Sequence, residues 1–168
     1  MIRLCRSDET ENCLDIINDA AGAYKGVIPS DCWREPYMSL EHLQDEIKKG
    51  VNFWGFEGDG ELLGVMGLQE VRDVTLIRHA YVKTACRNRG IGNQLLTFLL
   101  SKTEGSVLIG TWAAAIWAIR FYEKHGFQKV TEAEKNRLLH AYWIISARQV
   151  ETSVVLANVQ WFETCEIE

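Results

Sequence analysis

A glycine-bearing turn at residues 87–95, Arg-Asn-Arg-Gly-Ile-Gly-Asn-Gln-Leu, constrains this chain more than any other stretch. An apolar segment over residues 76–82 precedes the turn and predicts a strand. Apolar residues at helical spacing follow it and predict a helix. The chain is therefore expected to pass from a strand, through a basic loop, into the first turn of a helix.

The chemistry of such a turn favours an anion. The first backbone N–H groups of a helix have no partners inside it, and the helix dipole adds partial positive charge there. Gly90 and Gly92 remove side chains that would keep a phosphate from these groups. Arg87 and Arg89 add charged donors suited to phosphate. The turn thus has the character of a pyrophosphate site.

Three interpretations of the turn compete. Glycines and arginines also occur at loop-to-helix junctions that bind nothing. Nucleotide-binding loops are the second interpretation, and two such motifs fail. The Walker loop needs Lys and then Ser or Thr, where this chain has Asn93 and Gln94. The dinucleotide fingerprint needs a third glycine, where this chain has Leu95.

The third interpretation is a resemblance. Arg-x-x-Gly-x-Gly between an apolar strand and an amphipathic helix resembles the acyl-CoA pyrophosphate loop of the GNAT (GCN5-related N-acetyltransferase) superfamily. Residues 118–127, which end in Phe-Tyr-Glu-Lys-His-Gly-Phe, are similar to the other signature of that superfamily. Residues 80–82, Ala-Tyr-Val, also fit. The resemblance extends from about residue 2 to about residue 157.

The order of predicted elements agrees with this resemblance. Helical and strand patterns alternate along the chain, which indicates an α/β domain with a mixed sheet. The GNAT fold implies a central mixed sheet of about six to seven strands flanked by helices. We expect residues 1–157 to form a single N-acetyltransferase domain and residues 158–168 to be a loose, acidic tail. Ser39 predicts the start of a helix whose buried stripe is Leu40, Leu43 and Ile47.

The resemblance implies acetyl-CoA as the cosubstrate and no metal. It places the pantetheine arm beside the strand that precedes the loop, with the backbone N–H of Val82 polarising the thioester carbonyl. The phosphates fall to the loop and the helix start. The implied cofactor-binding residues are Tyr81, Val82, Lys83, Arg87, Asn88, Arg89, Gly90, Ile91, Gly92 and Asn93.

Tyr122 is the general acid that the resemblance implies. At helical spacing it shares a face with Ala115, Ala118 and Ile119, and the small residues there leave room for a cofactor. The alternative is a packed aromatic side chain with a structural role. Many GNAT members carry an asparagine seven positions before this tyrosine, and this chain has Ala115 instead.

The general base is the open question. Many members place a glutamate on the strand before the loop, where this chain has Leu76 and Ile77. The nearby candidates are Glu70, Asp73 and His79, of which Glu70 and His79 are favoured, and a histidine has an unperturbed pKa of about 6.5. Strand alternation puts His79 on one face with Ile77 and Tyr81. Proton removal through ordered water, with no single base, stays open as well.

An aromatic, turn-rich stretch over residues 24–38 interrupts the helical pattern. In the GNAT superfamily the corresponding region usually shapes the acceptor site. Aromatic residues in an irregular loop line pockets, but they also close the ends of cores. The candidate substrate-binding residues are Tyr24, Trp33 and Tyr37.

Composition bounds the partners. The formal net charge of −5 argues against a general nucleic-acid binder. No apolar run approaches a membrane span, and no signal peptide opens the chain, so the expected location is cytoplasmic. The acceptor is expected to be a small amine-bearing metabolite or drug, or an amine of a peptide or protein. Homodimers are frequent in the resembled family.

The predicted function is transfer of an acetyl group from acetyl-CoA to a primary amine by direct attack in a ternary complex. The alternative is a GNAT-like module that binds acyl-CoA without catalysis, as a sensor or in assembly. The missing strand glutamate and Ala115 favour this alternative, whereas the retained Tyr122 favours an enzyme.

Overall fold

The computed structural model describes residues 1–167 of the 168-residue chain. The strands are β1 (Ile2–Leu4), β2 (Asn52–Gly58), β3 (Glu61–Val71), β4 (Val74–Val82), β5 (Val107–Trp112), β6 (Gln128–Lys129) and β7 (Ser153–Ala157). The α-helices are α1 (Thr10–Ala21), α2 (Leu40–Lys48), α3 (Ile91–Leu100), α4 (Ile116–Lys124), α5 (Glu132–Tyr142), α6 (Ala147–Glu151) and α7 (Val159–Cys165).

The strands form one sheet in the order β1-β2-β3-β4-β5-β7-β6, seven strands within residues 1–167. Strands β1, β2 and β3 are antiparallel neighbours, with Ile2 opposite Phe56 and Asn52 opposite Leu68. Strand β7 pairs antiparallel with both β5 and β6. The predicted α/β class with a mixed sheet of six to seven strands is confirmed.

The chain divides into two compact units. The first consists of Met1–Ala23, Arg34–Glu70 and Ile77–Glu104. Helix α1 supplies buried residues at helical spacing because one of its faces is apolar. The side chain of Asn18 bonds both backbone groups of Met38, at 2.8 and 2.9 Å, and so holds the segment before α2 against α1. The core residues are Cys13, Ile16, Ile17, Met38, Leu43, Val51, Phe53, Leu62 and Val65.

The predicted buried stripe of α2 is wrong at its C-terminal end. Ser39 caps the helix as expected, since its side chain accepts the backbone N–H of His42 at 3.1 Å, and Leu43 is fully buried. Ile47, however, is 40% exposed, and Glu46 is buried in its place at 5% exposure. An ion pair compensates the burial of this carboxylate, which hydrophobicity alone does not reveal.

The second unit consists of Tyr24–Trp33, Val71–Leu76 and the chain from Gly105 onward. Thr131 begins α5 as a cap, because its hydroxyl accepts the backbone N–H of Glu134 at 3.3 Å. The core residues of this unit are Val74, Leu76, Leu108, Leu138, Leu139, Val150, Val155, Ala157 and Trp161.

The expected loose tail after residue 157 is wrong for residues 159–165, which form α7. Asn158 caps this helix, because its side-chain oxygen accepts the backbone N–H of Trp161 at 3.2 Å and of Val107 at 3.0 Å. Trp161 is buried in the core of the second unit. Glu168, the last residue of the predicted tail, lies outside the described residues. The assignment of residues 1–157 to a single domain stays a prediction.

A membrane-spanning helix is not found in the part of the chain that the structure describes: none of its helices is both long enough and apolar enough to cross a bilayer.

Candidate functional site

The loop between β4 and α3 has the backbone that the sequence predicted for an anion site. A short 3-10 turn over Thr84–Cys86 follows β4. Asn88 and Gly90 then take left-handed conformations, with φ of +61° and +76°. Gly90 is the N-cap of α3, and no side chain caps this helix. The first hydrogen bond within the helix runs from the N–H of Gln94 to the carbonyl oxygen of Gly90, at 3.0 Å. The N–H groups of the residues between them come before this bond and take no part in the helical hydrogen-bond pattern.

The loop fits a diphosphate group. A Cβ built at Gly90 meets only the Nε2 atom of Gln94, at 3.9 Å, so the backbone there is open to an approaching ligand. Arg87 and Arg89 are exposed beside it. A phosphate requires hydrogen-bond donors that it can reach. The loop offers helix N–H groups without a side-chain cap and two guanidinium groups, and its open backbone gives access to them.

The C-terminal end of α1 holds the loop in place. The backbone N–H of Thr84 donates to Oδ2 of Asp19 at 2.7 Å. Nη2 of Arg87 donates to the carbonyl oxygen of Ala20 at 3.0 Å, which satisfies one of the last carbonyls of α1. Arg87 therefore has a structural role in the loop in addition to the charge that it contributes. These two contacts tie the strand-to-helix turn to α1.

The end of β4 is shaped by its pairing with β3. The backbone N–H of Lys83 donates to the carbonyl oxygen of Leu63 at 2.9 Å. Since successive N–H groups of a strand point to opposite sides, the N–H of Val82 points away from β3. Tyr81 is half-buried and packs against the core of the first unit. The ammonium group of Lys83 lies 3.3 Å from a carboxylate oxygen of Glu61.

Gly64 in β3 brings α3 close to the sheet. A Cβ at Gly64 would lie 2.9 Å from Cγ2 of Ile91 and 3.3 Å from the carbonyl oxygen of Tyr81. Any larger residue would displace the first turn of α3. Ile91, predicted as a cofactor residue, is itself buried at 4% exposure, so its side chain anchors the helix while its backbone belongs to the loop.

His79 departs from the strand geometry that the sequence predicted. Its φ of +51° places it in the left-handed region, within β4. This conformation costs a residue other than glycine about 1–2 kcal/mol. The regular strand geometry of β4 is therefore interrupted at His79, and a shared face with Ile77 and Tyr81 stays a prediction. Such local irregularities are concentrated near functional sites.

The imidazole of His79 belongs to a buried polar cluster. Its Nε2 lies 3.0 Å from Oε2 of Glu46, and its ring stacks on Phe53 with 5.9 Å between centroids. Arg78 reaches the same carboxylate oxygen at 2.8 Å, and Nε2 of His42 lies 3.6 Å from the other oxygen. We refer to Glu46, Arg78, His79 and His42 as the Glu46 cluster.

Opposing effects set the charges of the Glu46 cluster. Burial raises the pKa of Glu46. Hydrogen bonds from His42 and His79 and the charge of Arg78 together lower it by more, so the net pKa lies well below the usual range. Burial lowers the pKa of His79, and the charge of Arg78 lowers it too, against the contact with Glu46. Glu46 is therefore an anion and His79 a neutral imidazole near pH 7.

The other predicted base, Glu70, is exposed near the end of β3. Of the two candidates, only His79 lies in a cluster of charged side chains that fixes its orientation. Hydrophobic patterning missed Glu46 and Arg78. The one signal for Glu46 was its spacing of four residues from His42 on a predicted helix.

Tyr122 lies in the second unit, on α4. It is buried at 7% exposure, and burial, together with the nearby Tyr24, raises the pKa of its phenol above the usual range. The phenol is protonated throughout the neutral range and can act as a donor. Ala115, at 0% exposure, is the N-cap of α4, where its side chain provides no capping oxygen.

The three aromatic residues predicted to bind the acceptor contact different parts of the chain. Tyr24 stacks on Trp117 of α4, with ring centroids 6.0 Å apart, in the same unit as Tyr122. Trp33 is half-buried next to the short turn Ser30–Cys32. Tyr37 packs against the core of the first unit. The structure therefore brings Tyr24 and Tyr122 into one unit.

Comparisons with known proteins agree with this geometry. The family described as Acetyltransferase (GNAT) domain matches residues 13–141. The chain is 24% identical over 152 residues to the peptidyl-lysine N-acetyltransferase YiaC of Escherichia coli (strain K12), which covers 90% of this chain and 99% of the relative. It is 28% identical over 140 residues to the UPF0157 protein YqkA of Bacillus subtilis (strain 168). That match covers 79% of this chain but spans only 40% of YqkA.

A solved structure shows the same fold. The PaiA N-acetyltransferase of Thermoplasma acidophilum, in complex with coenzyme A, has a TM-score of 0.69 and 19% identity. The match covers 94% of this chain and 97% of that one. Because the family matches most of its residues, and its sheet and loop have the expected form, the chain belongs to the GNAT acetyltransferase family.

Proposed function

We propose that the protein transfers an acetyl group from acetyl-CoA to a primary amine by direct attack in a ternary complex. The observation that supports this most strongly is the loop before α3. Gly90 there is a left-handed N-cap with open space around it, and Asp19 and Ala20 hold the loop in place. Such a loop suits an anion, and its presence in a member of an acyltransferase family supports binding of the acetyl-CoA diphosphate there.

The chain's own residues supply binding and polarisation. Backbone N–H groups over residues 88–93, with Arg87 and Arg89, hold the diphosphate. The backbone of Tyr81, Val82 and Lys83 aligns the pantetheine arm. Acetyl-CoA supplies an acetyl group activated as a thioester. The N–H of Val82, which points away from β3, donates to the acyl oxygen and draws electron density from the acyl carbon.

Proton transfer completes the proposal. Tyr122, protonated near neutral pH, delivers a proton to the leaving sulfur. Removal of a proton from the amine falls to His79 or Glu70, or to ordered water. The acceptor is a primary amine of a small molecule or a protein. The name of YiaC as a peptidyl-lysine N-acetyltransferase makes a lysine-containing peptide the first protein substrate to test.

The direct test incubates the full chain with acetyl-CoA and a panel of amines. The panel contains small amines, polyamines, a lysine-containing peptide and a peptide with a free N-terminus. Release of free thiol and gain of one acetyl group by the acceptor, detected by mass spectrometry, are the expected results.

A non-catalytic acyl-CoA-binding module is the second candidate. Leu76 and Ile77, at 0% and 2% exposure, occupy the strand positions where the resemblance expects a glutamate, and Ala115 replaces the expected asparagine. Binding of acetyl-CoA in calorimetry, without turnover across the whole panel, would favour this candidate over the enzyme.

The cytoplasmic location and the homodimer stay predictions. Light scattering coupled to size-exclusion chromatography distinguishes a dimer from a monomer directly.

A further inference from the structure

The bond between Glu46 and His79 fixes which nitrogen of the ring carries the proton. Nε2 of His79 lies 3.0 Å from Oε2 of Glu46, and Arg78 lies 2.8 Å from the same oxygen. A carboxylate that is ionised beside a guanidinium accepts hydrogen bonds only. Nε2 of a neutral His79 must therefore be the protonated nitrogen, and Nδ1 is left with a lone pair.

Nδ1 is the nitrogen of the His79 ring that does not contact Glu46. Within residues 1–167, every fully buried side-chain nitrogen or oxygen has a hydrogen-bond partner. The hydrogen bond of the His79 ring runs from Nε2 to Glu46. The side chain as a whole is 14% exposed, so solvent reaches part of the ring. The ring thus combines a fixed, bonded edge with a basic edge.

The strand conformation supports a role beyond packing. His79 is held at φ +51°, and its ring is fixed from two sides, by Glu46 of α2 and by Phe53 of β2. A conformation that costs free energy persists when the surrounding contacts determine it, and such residues are concentrated at active sites. His79 lies three residues before Val82, or roughly 10 Å along an extended strand, so a chain of two or more waters is needed to carry a proton between its ring and an amine at the thioester.

The charges around His79 are balanced for a base. Glu46 favours the imidazolium form, whereas Arg78 and burial favour the neutral form. His42, on the same helix as Glu46, is the other titratable group that faces this carboxylate. Without Arg78 the imidazolium form of His79 would be more favoured, and without Glu46 the ring would be a weaker proton acceptor.

We propose that Glu46 is a positioning residue that holds His79 in the Nε2–H form, and that Nδ1 of His79 takes the proton from the acceptor amine through water. This inference rests on the proposed function. It gives His79 the role of the strand glutamate that many members of the family carry. It selects His79 over Glu70 as the base.

The proton and electron balance is simple. Nδ1 of His79 accepts one proton from the ammonium form of the acceptor, by way of a chain of waters, and becomes an imidazolium. The amine uses its freed lone pair to form the N–C bond, while the C–S bond breaks and its electron pair leaves on sulfur. The sulfur gains a proton, the new amide nitrogen loses one, and His79 returns its proton to solvent before the next turnover.

The test compares the pH dependence of kcat/KM in three variants. The acid limb of the profile is the fall in kcat/KM at low pH as His79 becomes protonated. Glu46→Gln removes the negative charge, so this limb should move to lower pH by about 1 unit or more. Arg78→Gln removes the positive charge, so the acid limb should move to higher pH by about 1 unit. Glu41→Gln, an exposed position on the same helix, is the matched control and should leave the limb unmoved. A purely structural role would not produce opposite shifts.

A second measurement needs no substitution in the cluster. Nitrogen-15 spectra of wild-type protein labelled at histidine should show the His79 ring protonated at Nε2 and without a proton at Nδ1 at pH 7.

A third measurement replaces the base itself. His79→Gln should lower kcat by about 100-fold or more while the thermal shift given by acetyl-CoA is retained.

The outcomes separate the two proposals. Opposite shifts of the acid limb together with the Nε2–H form support both the positioning role and the base. Turnover by the wild type with an unmoved limb, or an Nδ1–H form, overturns this inference alone. No turnover with any amine overturns the proposed function and the base with it.

Discussion

Tyr122 is the residue on which the catalytic prediction from sequence depends most. The structure buries its ring on α4, and burial raises the pKa of the phenol above its usual range. A raised pKa keeps the proton on the hydroxyl across the neutral range. Tyr122 therefore titrates too high to limit activity below about pH 10. If it is the acid, the alkaline side of the pH profile should stay flat over the range where the enzyme is usually measured.

Replacement of Tyr122 by phenylalanine tests this role directly. We expect Tyr122→Phe to lower kcat by about 100-fold or more, because the leaving sulfur loses its proton donor. The thermal shift given by acetyl-CoA should be unchanged, because the ring stays in place. Steady-state kinetics with the best amine of the panel measures the loss.

The matched control for this substitution is Tyr142→Phe. The phenol of Tyr142, in the same unit, donates to Asp73 at 2.7 Å and has a structural partner. Its loss should affect stability slightly and kcat little. Equal kcat values for Tyr122→Phe and wild type would remove Tyr122 from the mechanism.

The sequence indicates candidate site residues where a motif carries them, and it does not indicate the residues whose position is decided by burial. The sequence indicated Gly90 and Tyr122 because their spacing matches a known pattern. The sequence did not indicate Glu46, because a charged residue on an amphipathic helix is normally assigned to solvent. The contacts of Glu46 with Arg78 and His79, both distant in sequence, account for the burial of Glu46 in place of Ile47.

At the scale of elements, helix α1 determines the shape of the candidate phosphate loop. Asp19 accepts the backbone N–H of Thr84, and Ala20 accepts Nη2 of Arg87, so two consecutive residues at the end of the helix hold both sides of the 3-10 turn. The loop motif predicts the anion site, but nothing in the motif indicates which element supports it.

Asp19→Ala is expected to weaken acetyl-CoA binding without touching the ligand. A lost hydrogen bond of about 0.5–1.5 kcal/mol corresponds to a roughly 2- to 10-fold rise in Kd. Asp19→Asn keeps an acceptor for Thr84 and should bind nearly as well as wild type. Calorimetry measures both, with Asp15→Ala, exposed on the same helix, as the control for lost charge. Tighter binding by Asp19→Ala would show that charge repulsion outweighs the support of the loop.

The junction of β1 and α1 carries a pH-dependent contribution to stability. Arg3 bonds both carboxylate oxygens of Glu9, at 2.7 and 2.9 Å, and the backbone N–H of Arg6 adds a third bond at 2.7 Å. The bonds from Arg3 lower the pKa of Glu9 most, burial opposes them and the Arg6 N–H adds to them, so that the pKa falls from 4.5 to about 2.

The sign of this effect follows from linkage. A carboxyl group whose pKa is lower in the folded state stabilises the fold above its unfolded pKa, and this stabilisation is lost as the pH falls through the folded value. Between about pH 4.5 and pH 2, the melting temperature of Glu9→Gln should therefore fall less than that of wild type. Glu11→Gln, exposed in the first turn of α1, is the control. Parallel melting curves for Glu9→Gln and wild type over this range would contradict the assignment.

At the scale of the whole molecule, the sequence predicted the fold class and the order of its elements well. Alternating helices and strands gave an α/β sheet of the right size because the apolar periodicity of each element is local. The tail after residue 157 was missed because the signal of α7 is short. It consists of Asn158 as a cap and Trp161 as a single buried residue. The strand irregularity at His79 was missed because no glycine marks it.

The central claim is that residues 87–93 bind the diphosphate of acetyl-CoA. The most direct measurement is thermal unfolding with and without acetyl-CoA for wild type, Gly92→Glu and Thr97→Glu. A ligand at about a hundred times its Kd stabilises the folded state by about 2.7 kcal/mol, or roughly 5–10 °C for a chain of this size. Glu at position 92 suits the start of a helix, so this variant should fold, but its carboxylate repels phosphate.

Thr97→Glu adds the same charge at an exposed position farther along α3 and serves as the matched control. We predict a clear upward shift for wild type and Thr97→Glu, and none for a folded Gly92→Glu protein. No shift for wild type at saturating acetyl-CoA, or an equal shift in Gly92→Glu, would contradict the assignment of the loop.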